Sequence, residues 1–422
     1  MHGLFLLWLP LAVSFELMML EGPAFQGVMG RLPDPALNLA AWGLAMGISL
    51  LIESPVIMLL GTAVALARDA DSFAALRRFM LTLCAGCTAV TAMVAFTPLY
   101  DLVARGIMGQ PEDIVAAARP ALQSMLFWSA AIGWRRFYQG VLVSHGHTRW
   151  VTYGTVVRLV AAVGTAVGLM LWGHLTGVQV AALAIMAAVV SEAIMTTLFA
   201  RPIVRREVLT LRRTDLQPVT QGAIWRYHLP LAATSMLALI AGPMTAAALA
   251  RLPDPRAALA AWPVAFMALL VIRGGAMAYQ EITVSQARMA GAPPVLRTFA
   301  WWLGWGCTAL TLALLATPLL SLYLRSVVHV PAELHGLVRL AVLLGIALPL
   351  LTALASWVRG LLMASGKTTD VYRAMVVGLT CHAALLAAGV ALRAPAMWVA
   401  SAAMTAAAAV EFAVLAARAR RG

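Results

Sequence analysis

Arg31-Leu-Pro-Asp-Pro35, with Ala40-Ala-Trp42 behind it, returns as Arg251-Leu-Pro-Asp-Pro255 with Ala260-Ala-Trp262, 220 positions later. The same offset carries Leu9-Pro10-Leu11-Ala12 onto Leu229-Pro230-Leu231-Ala232 and Gly22-Pro23 onto Gly242-Pro243. It also carries Cys87-Thr88 onto Cys307-Thr308, Thr97-Pro98-Leu99 onto Thr317-Pro318-Leu319, and Arg119, Gly140 and Gly146 onto Arg339, Gly360 and Gly366. Chance does not hold prolines, glycines and arginines in one ungapped register over about 140 residues. The chain is a duplicated unit, and whatever it folds into is built twice.

The repeated unit belongs in a membrane. Hydrophobic residues make up 62% of the chain and charged residues 11%, with a mean hydropathy of +0.88. Apolar runs of about 20 residues recur along its length, long enough to cross a hydrocarbon core. Six are read in each half: 4–29, 38–66, 79–100, 114–144, 150–173 and 178–200, then 229–249, 257–282, 299–324, 336–364, 372–393 and 397–417. The expected fold is an all-α polytopic membrane protein of 12 transmembrane helices in two six-helix bundles. An even number of spans runs both halves the same way, so the bundles are expected to be related by a pseudo-twofold axis along the membrane normal. The expected lobes are residues 1–200 and 229–422, joined by a polar cytoplasmic linker at 201–228. Pro33 with Pro35, and Pro253 with Pro255, punctuate the turn after the first span of each half.

A net charge of +13 would suggest nucleic acid for a soluble domain. Here most basic residues sit between apolar spans, so the charge reports topology and nucleic acid is excluded as a partner. Of the 30 Lys and Arg residues, 20 fall on the side of the termini, Arg135, Arg136 and Arg359 among them. Eight fall on the opposite side, and Arg158 and Arg273 lie within spans. This bias predicts cytoplasmic termini in a bacterial-type inner membrane. The first span lacks a basic leader and its Leu-Pro-Leu-Ala recurs inside the chain, so it reads as a retained span. Cys84 and Cys87 have metal-like spacing but no second ligand pair, and no metal site is expected.

Charges inside spans cost energy and ask for a reason. Span one holds Glu16, Glu21 and Gln26; span two holds Glu53, whose repeat partner in span eight is Arg273. The duplicated position therefore carries opposite charges, and the two are candidates for a pair that forms in one state and parts in another, the alternatives being a static pair or Arg273 paired with some other acid. Arg158 and Glu192 are read as a structural pair within the first half. Glu21 precedes Gly22-Pro23, where the proline removes a backbone donor and bends the helix; Gly242-Pro243 keeps the bend without the acid. An acid beside freed carbonyls is a natural ligand set for a coupling ion, H+ or Na+.

Two six-span halves, a first span with Pro10 and Gly22-Pro23, and Leu39-Ala-Ala-Trp-Gly-Leu-Ala45 opening span two resemble the multidrug/oligosaccharidyl-lipid/polysaccharide (MOP) exporter superfamily. That superfamily includes the multidrug and toxic compound extrusion (MATE) proteins. Within it, Pro10-Leu11, Glu21, Gly27-Val28, Leu39 to Ala45 and Pro55 are similar to the progressive ankylosis protein group. The resemblance implies a V-shaped pair of bundles that opens alternately to each side, with spans one, two, seven and eight lining the cleft. It implies a monomeric secondary transporter, an ion-coupled exporter of small organic, anionic solutes, with no cofactor. The alternatives are a multidrug efflux antiporter or a flippase of a lipid-linked saccharide. A membrane enzyme is the remaining class, but the chain has no HExxH, GxSxG or phosphate-cradling glycine loop.

Overall fold

A computed structural model describes residues 2–67, 69–147, 149–210, 219–287 and 292–420. Arg68, Arg212, Arg213, Arg288 and Arg421 of the loop arginines, and the 211–218 stretch of the linker, lie outside the described residues. Among the described residues the chain is helical, without strands. Ten helices are long and apolar enough to cross a membrane, or up to 11 with one bent pair. In chain order the helices are α1 (Gly3–Arg31), α2 (Pro35–Leu66), α3 (Ala70–Phe96), α4 (Glu112–Ser124 with Trp128–Ser144, outside that count), α5 (Arg149–Trp172) and α6 (Gly177–Val208). The second half has α7 (Gln221–Leu249), α8 (Pro255–Gln286), α9 (Pro294–Ala316), α10 (Ala332–Leu344 with Leu348–Ala364), α11 (Thr368–Ala391) and α12 (Ala396–Arg420). The α4 helix is the repeat equivalent of α10, with Glu112, Asp113, Arg119, Arg135 and Arg136 along it.

Helices overrun the apolar stretches. The expected linker at 201–228 is helical at both ends, because α6 continues to Val208 and α7 begins at Gln221 behind a Thr220 cap. The α3 helix starts nine residues before the expected 79, where Asp69 and Ser72 form a reciprocal capping box. Caps and backbone bonding decide where a helix starts, and hydropathy reads only where it is apolar.

The prolines act where the repeat places them. Pro23 and Pro243 cannot donate to the carbonyls of Met19 and Leu239, and each helix breaks there, at Leu20 in α1 and at Ile240 in α7. In α2, Pro55 leaves the Leu51 carbonyl without its helical donor, and Ser54 Oγ donates to it instead at 2.8 Å.

The Arg-Leu-Pro-Asp-Pro motif ties the end of its helix to a neighbouring segment. Arg31 Nη1 donates to Gly27 O at 2.6 Å and to Val327 O at 3.0 Å. Arg251 Nη1 does the same for the repeat-equivalent Ala247 O at 2.6 Å and for Met108 O at 3.0 Å. Asp34 and Asp254 adopt left-handed backbone (φ 54° and 51°), a conformation aspartate tolerates better than most residues, and Pro35 and Pro255 then start the next helix.

Contacts gather the helices into two compact units that do not coincide with the chain halves. One is Met1–Gly43, Met108–Pro111 and Met244–Gly422; the other is Leu44–Ile107 and Glu112–Pro243. They are called here the C-terminal and N-terminal units. Thus α1 packs with the second-half helices, and most of α7 packs with the first-half helices. Both docks use the same register. Trp8 Nε1 donates to Gly275 O at 2.8 Å, and His228 Nε2 donates to Pro55 O at 3.0 Å. Under the 220-residue offset, 8 maps to 228 and 55 to 275, so one contact is made twice with partners exchanged between repeats. Gly274 and Gly275 admit α1 closely, since a Cβ on them would meet Glu16 Oε1 at 2.7 Å and Trp8 at 2.9 Å.

Candidate functional site

The C-terminal unit holds Glu16, Glu21, Gln26 and Arg273, and the N-terminal unit holds Glu53, Arg158 and Glu192. Glu53 and Arg273, read from sequence as candidate partners, thus belong to different compact units, and each has its own neighbours. The helix-bend residues Gly22, Pro23, Gly242 and Pro243 flank the breaks described above.

In the N-terminal unit, Glu53 on α2 is 4% exposed and accepts a hydrogen bond from Trp128 Nε1. Trp128 opens the second segment of α4, just past the turn at 125–127, so the break in α4 aims the indole at α2. Arg135, Arg136 and Arg158 lie within electrostatic reach of the Glu53 carboxylate. Arg158 and Glu192 do come together, with Nη1 at 3.6 Å from Oε2. Glu192 has closer partners, though: Arg135 Nη1 bonds Oε2 directly, and Gln139 Nε2 donates to Oε1 at 3.0 Å. Arg135, counted from sequence with the loop arginines, is instead inside the unit, its side chain 4% exposed and that of Glu192 1%. Arg136 makes no ion pair among the described residues, and its Nε is buried without a hydrogen-bond partner. Two carboxylates and three guanidiniums therefore share this interior, an excess of one positive charge.

In the C-terminal unit, Glu21 is buried at the first position after the break in α1. Gln26 Nε2 donates to Pro263 O on α8 at 3.0 Å, leaving its buried Oε1 without a partner among the described residues. Glu16 Oε1 accepts the Gly275 N–H at 2.8 Å. Two residues before that amide, Arg273 leans over the Phe266 ring, 5.6 Å from its centroid, and makes no ion pair among the described residues. Arg273 lines a cavity of about 340 Å³ between α8, α10 and α12, together with Gln280, Glu281, Thr352, Ser356 and Arg359. Arg359 is held by Glu411 of α12, which also lines the cavity. Arg359 and Glu411, read from sequence as groups near the aqueous interface, are thus joined to each other. Two arginines, two glutamates and several neutral donors make this a polar chamber inside an apolar bundle, suited to a charged solute.

Sequence reading missed Trp8, Trp128, Gln139 and His228, and placed Arg135 at the cytoplasmic end of span four rather than against Glu192. For Trp8 and His228 a signal existed: under the offset both positions carry a ring N–H inside an otherwise apolar span. Trp128 and Gln139 carried none, because a lone indole or amide in a span looks like packing.

No protein-family model matches the chain, and no curated protein matches it. Solved structures do. An inward-facing multidrug resistance MATE family transporter of the MOP superfamily aligns over 97% of this chain and 98% of its own, at 16% identity and a TM-score of 0.70. A MOP superfamily transporter from Pyrococcus furiosus aligns over 99% of this chain and 95% of its own, at 18% identity and a TM-score of 0.64. The lipid II flippase MurJ in an inward closed conformation aligns over 98% of this chain and 87% of its own, at 10% identity and a TM-score of 0.73. The fold is therefore that of the MATE transporters, 12 helices in two bundles, as the duplicated sequence implied.

Proposed function

We propose that this chain is a secondary active transporter that exports small organic solutes bearing an anionic group by alternating access, coupled to an H+ or Na+ gradient. The observation that carries the reading is Arg273. A guanidinium with no ion pair among the described residues is costly inside a membrane bundle, and the chamber it lines with Glu281 offers room for an anionic group to reach it. The fold supports the class, since the neighbours of known structure are transporters and a flippase. For the Pyrococcus furiosus neighbour, a reversed polarity of the binding pocket suggests a different function. Arg273, a chamber guanidinium with no ion pair among the described residues, favours a solute with an anionic group over the organic cations of drug efflux.

Coupling follows from the short path between Glu16 and Arg273. Glu16 grips the amide of Gly275, two residues from the Arg273 guanidinium. A proton on Glu16 weakens that grip and loosens α1 from α8, so ion binding on α1 acts on the chamber wall. Glu21 and Gln26, on the far side of the break, are candidates for the ion path on the same helix. The protein is read as a monomer of a bacterial-type inner membrane with both termini cytoplasmic. The flippase reading rests on the likeness to MurJ and predicts lateral access for a lipid-linked saccharide.

The test compares spent medium from cells producing wild type, Arg273→Gln, Glu16→Gln, Glu21→Gln or no transporter, by untargeted mass spectrometry. An organic anion should accumulate outside with the wild type and fall about tenfold or more with Arg273→Gln. Identical media from all five strains would sink the small-anion reading and leave the flippase.

A further inference from the structure

Two cavities in the N-terminal unit lie apart from the residues assigned to the transport path. The first, about 560 Å³, forms where the early turns of α3 meet the ends of α4 and α6, and Arg77, Arg78, Arg201 and Arg205 all line it. The second, about 440 Å³, runs between α4 and α6 along Trp134, Ile194 and Leu198, with Arg201 at its end. Arg201 lines both, so a cationic cavity and an apolar groove adjoin at its side chain. From Arg201 to Val190 the groove follows roughly 16 Å of helix at 1.5 Å per residue.

The arginines converge for local reasons. Arg77 and Arg78 are adjacent near the start of α3, while Arg201 and Arg205 are one turn apart on α6, flanking Pro202, after which the helix widens at Val204–Val208. No acidic residue lines either cavity, and none of the four arginines makes an ion pair among the described residues. The nearest acid in sequence, Glu207, is turned to His147 at 3.4 Å. Apolar side chains complete the head cavity, with Leu81 44% and Leu209 48% exposed. A free inorganic anion would satisfy the arginines and leave the groove empty. An amphipathic anion satisfies both.

We infer that the N-terminal unit binds one anionic phospholipid, its phosphate held by Arg77, Arg78, Arg201 and Arg205 and one acyl chain laid in the groove between α4 and α6. Guanidiniums chelate phosphate oxygens in pairs, and basic pockets between helices at the bilayer surface are suited to such headgroups. The site is independent of Arg273 and of the transport reading.

Native mass spectrometry of the full-length, delipidated protein tests it, with phosphatidylglycerol, phosphatidylcholine and inorganic phosphate as probes. Phosphatidylglycerol should bind about tenfold or more tightly than phosphatidylcholine, and Arg77→Gln/Arg205→Gln should lose that preference. Leu198→Trp, which fills the groove without touching charge, should also weaken phosphatidylglycerol. Arg149→Gln/Arg206→Gln removes the same charge outside both cavities and should leave binding intact. Equal binding of the two lipids, or an equal loss in the control variant, would overturn the site. Displacement of the lipid by millimolar inorganic phosphate would reassign the arginines to a free anion and overturn the lipid assignment. Arg77→Lys/Arg205→Lys, which keeps the charge, should retain most of the binding and so shows that the Gln variants fail through charge.

Discussion

At the scale of the residue, burial in an apolar bundle makes each charge depend on its partner. Glu192 holds Arg135 directly and Arg158 at 3.6 Å. Removing the acid leaves two guanidiniums in an interior that already carries Arg136. Glu192→Gln should therefore destabilise the protein by about 3–5 kcal/mol, read as a fall in melting temperature in detergent. A Glu192→Gln/Arg135→Met double variant removes one of the stranded charges and should recover part of the loss. Arg273 behaves differently, because no carboxylate among the described residues makes an ion pair with it. Arg273→Gln should leave the melting temperature unchanged or raised while export falls. A variant that lost stability in step with activity would show that Arg273 has a structural partner instead.

At the scale of the element, the docks of α1 and α7 are the same joint built twice. Trp8→Phe deletes one hydrogen bond to a carbonyl and should cost about 1 kcal/mol, while His228→Phe deletes the bond to Pro55 O and that to Thr62 Oγ1 and should cost about 2 kcal/mol. The two joints lie in different compact units and share no partner, so the double variant should be additive within about 0.5 kcal/mol. Glycines separate in the same way. A Cβ at Gly140 would lie 2.7 Å from Leu60 O, and one at Gly360 2.9 Å from Gln280 O, which is the same contact under the offset. Alanine at either should cost about 1–3 kcal/mol by pushing α4 off α2, or α10 off α8. Gly242 has nothing within 4 Å, and alanine there should be neutral or stabilising by about 0.5 kcal/mol. A neutral Gly140→Ala would mean that α4 and α2 are less tightly packed than described.

At the scale of the molecule, each compact unit takes its first helix from the other half of the chain. A fragment ending at residue 210 contains α1 but lacks the helices α1 packs on, and leaves α2 without α7. Expressed alone, either half should aggregate or be degraded, whereas co-expression of 1–210 with 219–422 should restore a folded, co-purifying pair. Stable, monodisperse separate halves would contradict the exchanged arrangement.

Much of this was legible in the chain itself. Duplication, the number of spans, the breaks at Pro23 and Pro243 and the turn punctuated by Pro33 and Pro35 follow from local covalent causes: a missing N–H, a fixed φ, a run of apolar side chains. The charges inside spans, Glu53, Glu192 and Arg273, were equally plain, because a charge in an apolar run needs no tertiary knowledge to be noticed. What the sequence left open was the choice of partner. In a duplicated chain a residue at position 8 has two equivalent sites to dock against, 55 and 275, and the pattern of side chains is nearly the same at both. Only the tertiary structure decided that α1 takes 275 and α7 takes 55, and that Glu192 is gripped by Arg135 with Arg158 behind it. Local physics selects the element; the selection between symmetry-related partners is made by packing, where Gly274 and Gly275 leave room for Trp8 and Glu16, and Ser54 and Pro55 turn carbonyls toward Ser235 and His228.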